Sequence, residues 1–370
     1  MTRTDARAVI TAWAATSPFG LGNEAFRRGL EAGAVAVSST DDPAHPALQI
    51  AEVRDFEPRE VLGRKGTRSM DRVTALTVAT VGELLFDEDG ERLPGVSERT
   101  GLVLGTTTGS AHSMLDFTRE SLTQKRPYFV DPTKFPNTVM YCAAGQSAIW
   151  HRLRGPNPTI ASGRTSALST LAYAVRLQRS GRGRQVVFGA AEELSPTRAW
   201  LSWHQNRTLD TAPLGEGCGL FLLEPEATAL RAGRPVLAEV LGVRTAVAQD
   251  ARHAAEALTL CMSRAVPEQD RERVWLIAWS EAPGEYAGAE ESAVMSMFAH
   301  TGARHLHISD HIGDTGAASA SFQIAAVLAR AAAEPSDQPR LALINALDRD
   351  GTVAAALLRV RPDDDRTNDR

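Results

Sequence analysis

Short, continuous apolar runs alternate along the chain with longer stretches in which apolar residues recur at helical spacing. The short runs have the length and β-branched content of buried strands, and the longer stretches are typical of helices that pack against a sheet. Strands are predicted for residues 8–14, 100–105, 158–161, 185–189, 219–224, 236–243, 274–279, 306–308, 340–345 and 352–359. Helices are predicted for residues 23–33, with Asn23 as a candidate N-cap, and for 71–85, 143–153, 166–179, 250–262, 290–298 and 316–333.

This alternation predicts an α/β protein whose strands are covered by helices on both faces. The pattern occurs twice, which predicts a duplicated βαβαβ core with one half in residues 1–232 and the other in residues 233–360. Small residues in segments 166–171 and 316–320 predict helices that lie very close to their neighbours. Residues 361–370 are too polar to form a core, so we expect a disordered tail there.

Composition and charge narrow the class of function. Of the 370 residues, 43% are hydrophobic and 23% are charged, as in ordinary globular proteins. The net charge of −5 argues against a nucleic-acid partner, because such binding usually requires a basic face. A membrane span needs about 18 consecutive apolar residues, which the chain lacks, and no secretory signal opens it. We therefore expect a cytoplasmic protein with no membrane partner.

The cysteines and histidines do not form a recognisable metal site. The three cysteines, Cys142, Cys218 and Cys261, are far apart in the sequence and form no CxxC motif. This usage is typical of proteins in a reducing compartment, and free cysteines of this kind are usually buried and unreactive. His305 and His307 share one face of a predicted strand, but a third and a fourth ligand are missing. No metal and no bound cofactor is predicted.

Six short motifs follow one another along nearly the whole chain. They are ITAWAATSPFG at 10–20, RSMDR at 68–72, LRGPN at 153–157, LGEGCG at 214–219, LLE at 222–224 and IGDTGAA at 312–318. In this order they resemble the β-ketoacyl synthase family of the thiolase fold. The resemblance implies that the two halves form a five-layer αβαβα core, and that the first half carries the insertions of a dimer interface.

Members of this family condense acyl groups with a cysteine at a helix N-terminus and two histidines. The resemblance places these positions, and a lysine that precedes the second histidine, on other residue types here. Arginine stays protonated in proteins and cannot act as the nucleophile. We therefore expect no catalytic residue and no independent condensing activity. The replaced positions are Arg164 for the cysteine, Ser280 and Asp314 for the histidines, and Ser309 for the lysine.

Two loops near the replaced positions also depart from the family pattern. The loop that carries the first histidine in the family falls on residues 280–284 and begins with Ser280; it is aligned through Glu291 downstream. The C-terminal gating loop of the family reads LDRDGTV at residues 347–353. The chain is shortened between Asp210 and Leu214, where condensing members carry a longer loop. These changes strengthen the expectation of a non-condensing chain.

The chain most resembles the chain-length factors of type II polyketide synthases, in which the nucleophile is replaced and the subunit pairs with an active ketosynthase. Many of these proteins carry glutamine where this chain has Arg164. The resemblance implies a heterodimer with an active ketosynthase, to which an acyl carrier protein brings the acyl chain on its phosphopantetheine arm. Surface arginines such as Arg179, Arg182 and Arg184 could help to receive an acidic carrier protein, or could simply be solvated.

In chain-length factors an acyl tunnel runs along the dimer interface, and side chains at its far end set the product length. Small and flexible residues at the matching positions favour a long or linear acyl chain. The alternative is that Met114, Leu115 and Met140 are ordinary core residues. The matching tunnel and interface positions are Ala111, Met114, Leu115, Thr118, Val139, Met140 and Tyr141.

A buried arginine requires a carboxylate partner, and Asp314 replaces a group that lies beside the cysteine in condensing members. We therefore expect an ion pair between Arg164 and Asp314. The alternative is that the Arg164 guanidinium turns to solvent or to Glu281, Asp348 or Asp350.

Two other classes of function stay open. A stand-alone acyltransferase or thioesterase would use Ser162, Ser166 or Ser280 as a nucleophile, although the family register places no histidine beside them. A homodimeric acyl-binding protein would need no nucleophile.

Overall fold

The structure is a computed structural model that describes residues 7–46, 49–87, 89–205 and 213–361. The predicted disordered tail, apart from Arg361, lies outside the described residues, and so do residues 209–212 of the shortened loop.

Most of the predicted apolar runs form strands, and most of the periodic stretches form helices. Within the described residues the strands are β1 (Ala8–Ser17), β2 (Gly20–Leu21), β3 (Ser38–Ser39), β4 (Gln49–Ala51), β5 (Gly101–Thr106), β6 (Thr159–Ala161), β7 (Val186–Glu192), β8 (Leu214–Gly215), β9 (Gly217–Pro225), β10 (Ala238–Val247), β11 (Val274–Ala278), β12 (Arg304–Leu306), β13 (Arg340–Leu347) and β14 (Thr352–Val360). The helices are α1 (Gly22–Glu31), α2 (Pro58–Val61), α3 (Arg72–Leu85), α4 (Ala111–Thr123), α5 (Cys142–Trp150), α6 (Ser166–Arg179), α7 (Pro196–Gln205), α8 (Glu226–Arg231), α9 (Ala251–Ala265), α10 (Ala287–Phe298), α11 (Ser309–Ile312) and α12 (Ser319–Ala333).

Five strands of each half follow the same spatial order. The first half runs β6-β5-β7-β9-β1 and the second runs β12-β11-β13-β14-β10. In both halves the first three strands of this order are parallel and the last two are added antiparallel. The halves join where β1 pairs with β10, through Val9 with Glu239 and Ile10 with Ala238. The predicted duplication is confirmed, whereas the bounds 1–232 and 233–360 stay a prediction.

Two helices lie between the half-sheets. Leu168 and Leu171 of α6 and Phe322 and Ile324 of α12 are fully buried in one cluster with strand residues of both halves. Burying one such side chain contributes about 1.5–3 kcal/mol, so this middle layer holds the halves together. Helices α3 and α5 cover the outer face of the first half, and α9 and α10 cover that of the second. The implied αβαβα layering is confirmed.

The small residues of the middle layer allow helix and sheet to approach closely. A Cβ atom at Gly105 on β5 would lie 2.8 Å from the Cβ of Ser166, and one at Gly219 on β9 would lie 2.7 Å from the Cβ of Ser321. Real Cβ atoms do not approach so closely, because such separations lie inside van der Waals contact. The predicted close packing of both helices is therefore confirmed.

Three of the differences between the local structure and the sequence predictions have a clear physical reason. Helix α1 begins at Gly22, so Asn23 lies inside its first turn and donates its side-chain amide to the Trp13 carbonyl instead of capping the helix. Helix α7 was not predicted, because only Ala199 is buried in it and no apolar stripe marks it. The strand expected at 306–308 ends at Leu306, because the next backbone amides turn towards the carboxylate of Glu281.

Candidate functional site

The replaced positions meet at the carboxyl ends of the parallel strands. Arg164 lies in the turn between β6 and α6, and Ser280 follows β11. Asp314 lies between α11 and the 3₁₀ turn that precedes α12, and Asp348 follows β13. Within each half the parallel strands end at the same edge, which is where α/β proteins place their sites, and the contacts of Arg164 join the edges of the two halves.

The side chain of Arg164 is buried, with 5% of its surface exposed, and its guanidinium is held from two sides. One terminal nitrogen, Nη1, donates to Oδ1 of Asp314. The other, Nη2, donates to the carbonyl of Ser280 and, at 3.3 Å, to that of Glu281. The predicted ion pair is confirmed, and the alternative of a guanidinium turned to solvent is wrong.

Asp314 stays ionised in this environment. Burial alone raises the pKa of its carboxyl, but the nearby guanidinium groups of Arg164 and Arg198 outweigh burial and hold the pKa below its usual value. Its Oδ1 also accepts the backbone amide of Gly316 at 2.9 Å. The pair therefore carries both charges and occupies the centre of the site.

Asp348 contacts Arg164 through the backbone instead of the guanidinium. Its Oδ2 accepts the Arg164 amide at 2.6 Å. Gly163 makes this contact possible, because its φ of +51° is strained for other residues and a Cβ there would lie 2.0 Å from the same oxygen. The loop after β13 is thus fastened to the turn that carries Arg164.

The hydroxyl of Ser280 is used by the backbone. It accepts the amide of Leu347 at 2.9 Å and donates to the carbonyl of the same residue at 3.2 Å. The amides of Ser280 and Glu281 donate to the buried carboxylate of Glu290, at 2.7 and 2.9 Å. Burial raises the pKa of Glu290 to about 7. Glu290 holds this loop, whereas Glu291, which served to align the motif, is exposed on the next position of α10.

Ser309 lies at the start of α11, where it binds Glu281. Oε2 of Glu281 accepts the amides of Ile308 and Ser309, both at 2.9 Å. Nδ1 of His307 lies 3.5 Å from the other oxygen of the same carboxylate. Burial favours a raised pKa for Glu281, but these hydrogen bonds outweigh it and lower the pKa.

A second ion pair, which the sequence did not indicate, supports the first. Arg198 on α7 donates to the carbonyls of Glu193, Gly215 and Asp314 at 2.9, 2.6 and 3.0 Å. It lies 3.9 Å from the carboxylate of Glu192, which accepts the hydroxyl of Thr107 and the amide of Ala317. Burial raises the pKa of Glu192. Helix α7 has no apolar stripe, so its sequence does not indicate a role for Arg198. The one available signal was an acidic residue, Glu192, at the end of the buried strand β7.

The candidate serine nucleophiles bond to backbone groups or to one another. Ser166 donates to the carbonyl of Thr106 at 3.1 Å, and Ser162 donates to Ser169 at 3.3 Å. Nδ1 of His305 accepts from the indole of Trp279, and Nδ1 of His311 bonds to a backbone carbonyl. Among residues 7–46, 49–87, 89–205 and 213–361, no group of three or more His, Cys, Asp or Glu could hold a metal ion.

The three thiols are buried away from the Arg164 pair. Burial raises the pKa of Cys142 to about 11, that of Cys218 to about 12 and that of Cys261 to about 11. A thiol attacks a thioester only as a thiolate. At neutral pH these cysteines therefore do not replace the missing nucleophile.

A cavity of about 390 Å³ joins the ion pair to the start of α4. Arg164, Asp314 and Glu192 line it on one side, and Thr107 and Ala111 line it on another. Ala111 is 2% exposed, so a larger side chain there would extend into the cavity or displace its neighbours. Among the predicted tunnel positions, Ala111 thus lies against the replaced site.

The other predicted tunnel positions lie on the surface. Met114, Leu115, Met140 and Tyr141 are 38%, 38%, 46% and 62% exposed. Thr118 is also exposed and donates to the carbonyl of Met114, and Val139 is half-buried. The alternative that Met114, Leu115 and Met140 belong to the core is wrong.

These positions are part of a larger group, which we term the apolar face. Nine of the nineteen exposed large hydrophobic side chains in the described residues fall between positions 111 and 150. The segments that carry these side chains lie next to one another. The ring centroids of Phe117 and Phe135 are 5.9 Å apart, and a Cβ atom at Gly109, just before α4, would lie 2.7 Å from Cα of Met140, just before α5. So many exposed apolar groups in one region are typical of a protein interface. The apolar face comprises Met114, Leu115, Leu122, Tyr128, Phe129, Phe135, Met140, Tyr141 and Ile149.

Comparison with known proteins adds the following findings. Residues 5–229 match the family described as "Beta-ketoacyl synthase, N-terminal domain". The tetracenomycin polyketide synthase ketoacyl synthase alpha subunit of Streptomyces glaucescens is 30% identical over 311 residues, which cover 72% of this chain and 70% of that protein. The 3-oxoacyl-[acyl-carrier-protein] synthase 2 of Vibrio harveyi is 27% identical over 259 residues, 64% of this chain. The match spans 62% of the length of the Vibrio protein.

Solved structures agree over a larger part of the chain. A chain of the ishigamide ketosynthase/chain length factor is 42% identical, with a TM-score of 0.89 and coverage of 96% of this chain and 99% of that one. A complex of a type II polyketide synthase acyl-carrier protein with its ketosynthase, AntDE:AntF, has a TM-score of 0.78 at 16% identity, covers 97% of this chain and all of that one, and shows the fold alone. In the described part of the chain, no helix has the length and apolar content needed to cross a membrane.

Proposed function

Because the chain belongs to the β-ketoacyl synthase family, we propose that it is a non-condensing, chain-length-factor-like subunit that pairs with an active ketosynthase. The observation that carries this proposal is the buried pair of Arg164 and Asp314. The pair stands where the family resemblance places the nucleophilic cysteine and a histidine. A protonated guanidinium has no lone pair to attack a thioester, and Asp314 is kept ionised by Arg164.

The remaining side chains do not supply the missing chemistry. The Ser280 hydroxyl is held by Leu347, and the pKa values of the cysteine thiols are raised. A serine nucleophile requires an adjacent base, and the hydroxyls of Ser162 and Ser166 contact other serines or backbone carbonyls. This supports a structural role over the alternative of a stand-alone acyltransferase.

The apolar face supports a role in pairing. Within the described part of the chain, β6 pairs with β5 alone, so its other side is an open edge of the sheet. An uncovered edge strand beside exposed apolar side chains is prone to pairing with another chain. A ketosynthase with the same fold could extend the sheet there and cover the apolar face.

The growing acyl chain would then run between the two subunits. Ala111 connects the apolar face to the cavity beside Arg164. The exposed side chains of Met114 and Met140 are flexible and would line the path of the acyl chain. Such a wall leaves space for a long or linear acyl chain. An acyl carrier protein would deliver that chain on its phosphopantetheine arm to the cysteine of the ketosynthase, and this chain would need no cofactor of its own.

Co-expression with a ketosynthase that carries the cysteine and both histidines tests the proposal. We expect the two chains to co-purify as a heterodimer that extends acyl groups, and we expect this chain alone to transfer none. Acyl transfer by the purified chain, lost on substituting one serine, would favour the stand-alone enzyme. A stable homodimer that does not bind the ketosynthase would favour the alternative of a homodimeric acyl-binding protein. Either result overturns the proposal.

A further inference from the structure

A basic groove lies at the opposite end of the sheet from the Arg164 pair. The groove is formed where β5 and β7 begin. The Arg164 pair lies at the other end, after the last residue of β6, and the cavity beside the pair is lined by residues that follow the ends of β5 and β7. The groove has a volume of about 960 Å³. Four segments line it: residues 94–100, 154–156, 181–185 and 228–234.

The lining of the groove carries charge of one sign. Six arginines and no aspartate or glutamate are among its lining residues, although the whole chain has a net charge of −5. Of these arginines, Arg234 is neutralised by the buried carboxylate of Glu224, and Arg154 lies 3.2 Å from Glu98 at the rim. Arg99 and Arg182 have no ion-pair partner among the described residues. The six are Arg99, Arg154, Arg182, Arg184, Arg231 and Arg234.

Two of these cations are held against one neutral oxygen. Nε of Arg184 donates to the hydroxyl of Thr228 at 3.0 Å, and Nη2 of Arg231 donates to the same oxygen at 3.4 Å. Like charges so close repel each other, and no carboxylate lines the groove to offset the repulsion. An anion placed between the two guanidinium groups would remove this repulsion and accept hydrogen bonds from both.

We propose that this groove binds a small molecule that carries two or more phosphoryl groups. Guanidinium groups bind phosphate oxygens through paired, charge-assisted hydrogen bonds. Arg184 and Arg231 would hold one phosphoryl group beside Thr228. Arg182 and Arg99, which form no ion pair with a described carboxylate, would hold a second. The volume is in the range of small-molecule sites, about 300–1,000 Å³, and a concave site suits a compact polyanion.

The experiment uses the full chain, in its heterodimer where one forms, and measures binding calorimetrically at low salt. The probes are inorganic pyrophosphate, ADP and coenzyme A. We expect binding of pyrophosphate that weakens as salt rises. Equal affinity for all three probes would mean that the phosphates alone are recognised, and tighter binding of ADP or coenzyme A would mean that the organic part is held as well. Both results support the proposal.

Variants assign the binding to the groove. Arg184→Gln with Arg231→Gln should weaken pyrophosphate binding about tenfold or more, because two charge-assisted hydrogen bonds are lost. Arg182→Gln removes an exposed side chain without an ion-pair partner among the described residues, so it tests the groove even if the double variant folds poorly. The matched control is Arg54→Gln with Arg264→Gln, two exposed arginines elsewhere.

Three results would overturn the proposal. They are no binding of any probe, equal binding by the groove and control variants, and an acidic carrier protein as the one partner whose binding the groove variants reduce. None of them depends on product formation, so the groove can fail while the proposed function stands.

Discussion

Arg164 and Asp314 occupy equivalent positions in the two halves of the fold, and their side chains meet between them. Arg164 follows β6 and Asp314 follows β12, which are the equivalent edge strands of the two halves, and each precedes the helix that its half contributes to the middle layer. The duplicated loops thus bring one cation and one anion together. Because both side chains are largely buried, removing one charge would leave the other without a partner and lower the stability of the fold.

Asp314→Asn should destabilise the chain strongly. Removing one partner leaves a buried guanidinium without a counter-charge, which costs about 3–5 kcal/mol. Urea unfolding should show a lower midpoint, whereas Asp310→Asn, on the exposed side of α11, should leave it unchanged. Replacing both partners with leucine should recover most of the lost stability. An unchanged midpoint in Asp314→Asn would mean that the pair contributes little.

Glu290 gives the stability of the fold a specific pH dependence. Burial raises its pKa in the folded chain from the usual 4.5 to about 7. Between these values the folded state binds more protons than the unfolded state, so this group makes stability fall as pH rises through that window, by up to about 3 kcal/mol. Glu290→Gln should remove this slope when unfolding is measured at pH 5 and pH 7.5. Glu291→Gln, on the exposed side of the same helix, should keep it.

Tyr141 should be important for pairing with the ketosynthase. Tyr141 is 62% exposed and belongs to the apolar face. Aromatic anchors at interfaces typically contribute 2 kcal/mol or more, so Tyr141→Ala should raise the Kd of the heterodimer by about 30-fold. Leu230→Ala, which removes an exposed apolar side chain outside the apolar face, is the control. Equal affinity of both variants would place the interface elsewhere.

Larger side chains at Ala111 and Met140 should shorten the product. A tryptophan at either position would reduce the space available to an acyl chain on that side. Mass spectrometry of products released by the heterodimer would measure chain length, with Leu230→Trp as the control. Unchanged length in both variants would discard these residues as determinants of length. Because Ala111 is buried, Met140→Trp is the variant that tests the idea without disturbing the core.

The strands and helices could be predicted because apolar runs mark buried strands whatever their partners are. The five layers and the Arg164–Asp314 pair were predicted from the family resemblance, in which Asp314 lies inside the motif at 312–318 and Arg164 follows the motif at 153–157. The role of Glu290 was not predicted, because the sequence alignment used its neighbour Glu291 and the two residues look alike in the sequence. Which of them turns inward depends on the tertiary packing of α10, which directs Glu290 to the amides of Ser280 and Glu281.

Arg198 was missed for a related reason. Its helix buries Ala199 and exposes large aromatic side chains, so hydrophobic periodicity gives no indication of it. The role of Asn23 was misjudged because a helix-capping residue type was used for a tertiary hydrogen bond with Trp13. In both cases the decisive contact joins segments that are distant along the chain or unmarked by periodicity.

The hydrogen bond between Asp348 and the Arg164 amide fixes the conformation of the loop that follows β13. The matching loop gates the site in condensing members of the family, whereas here it forms the turn between β13 and β14 and is tied across the site. Opening would break the hydrogen bond between the Arg164 amide and Asp348 and leave that amide without a partner. In the proposed heterodimer, this loop would therefore keep one conformation when an acyl chain arrives. The entry and release of the acyl chain would then be controlled by the ketosynthase alone.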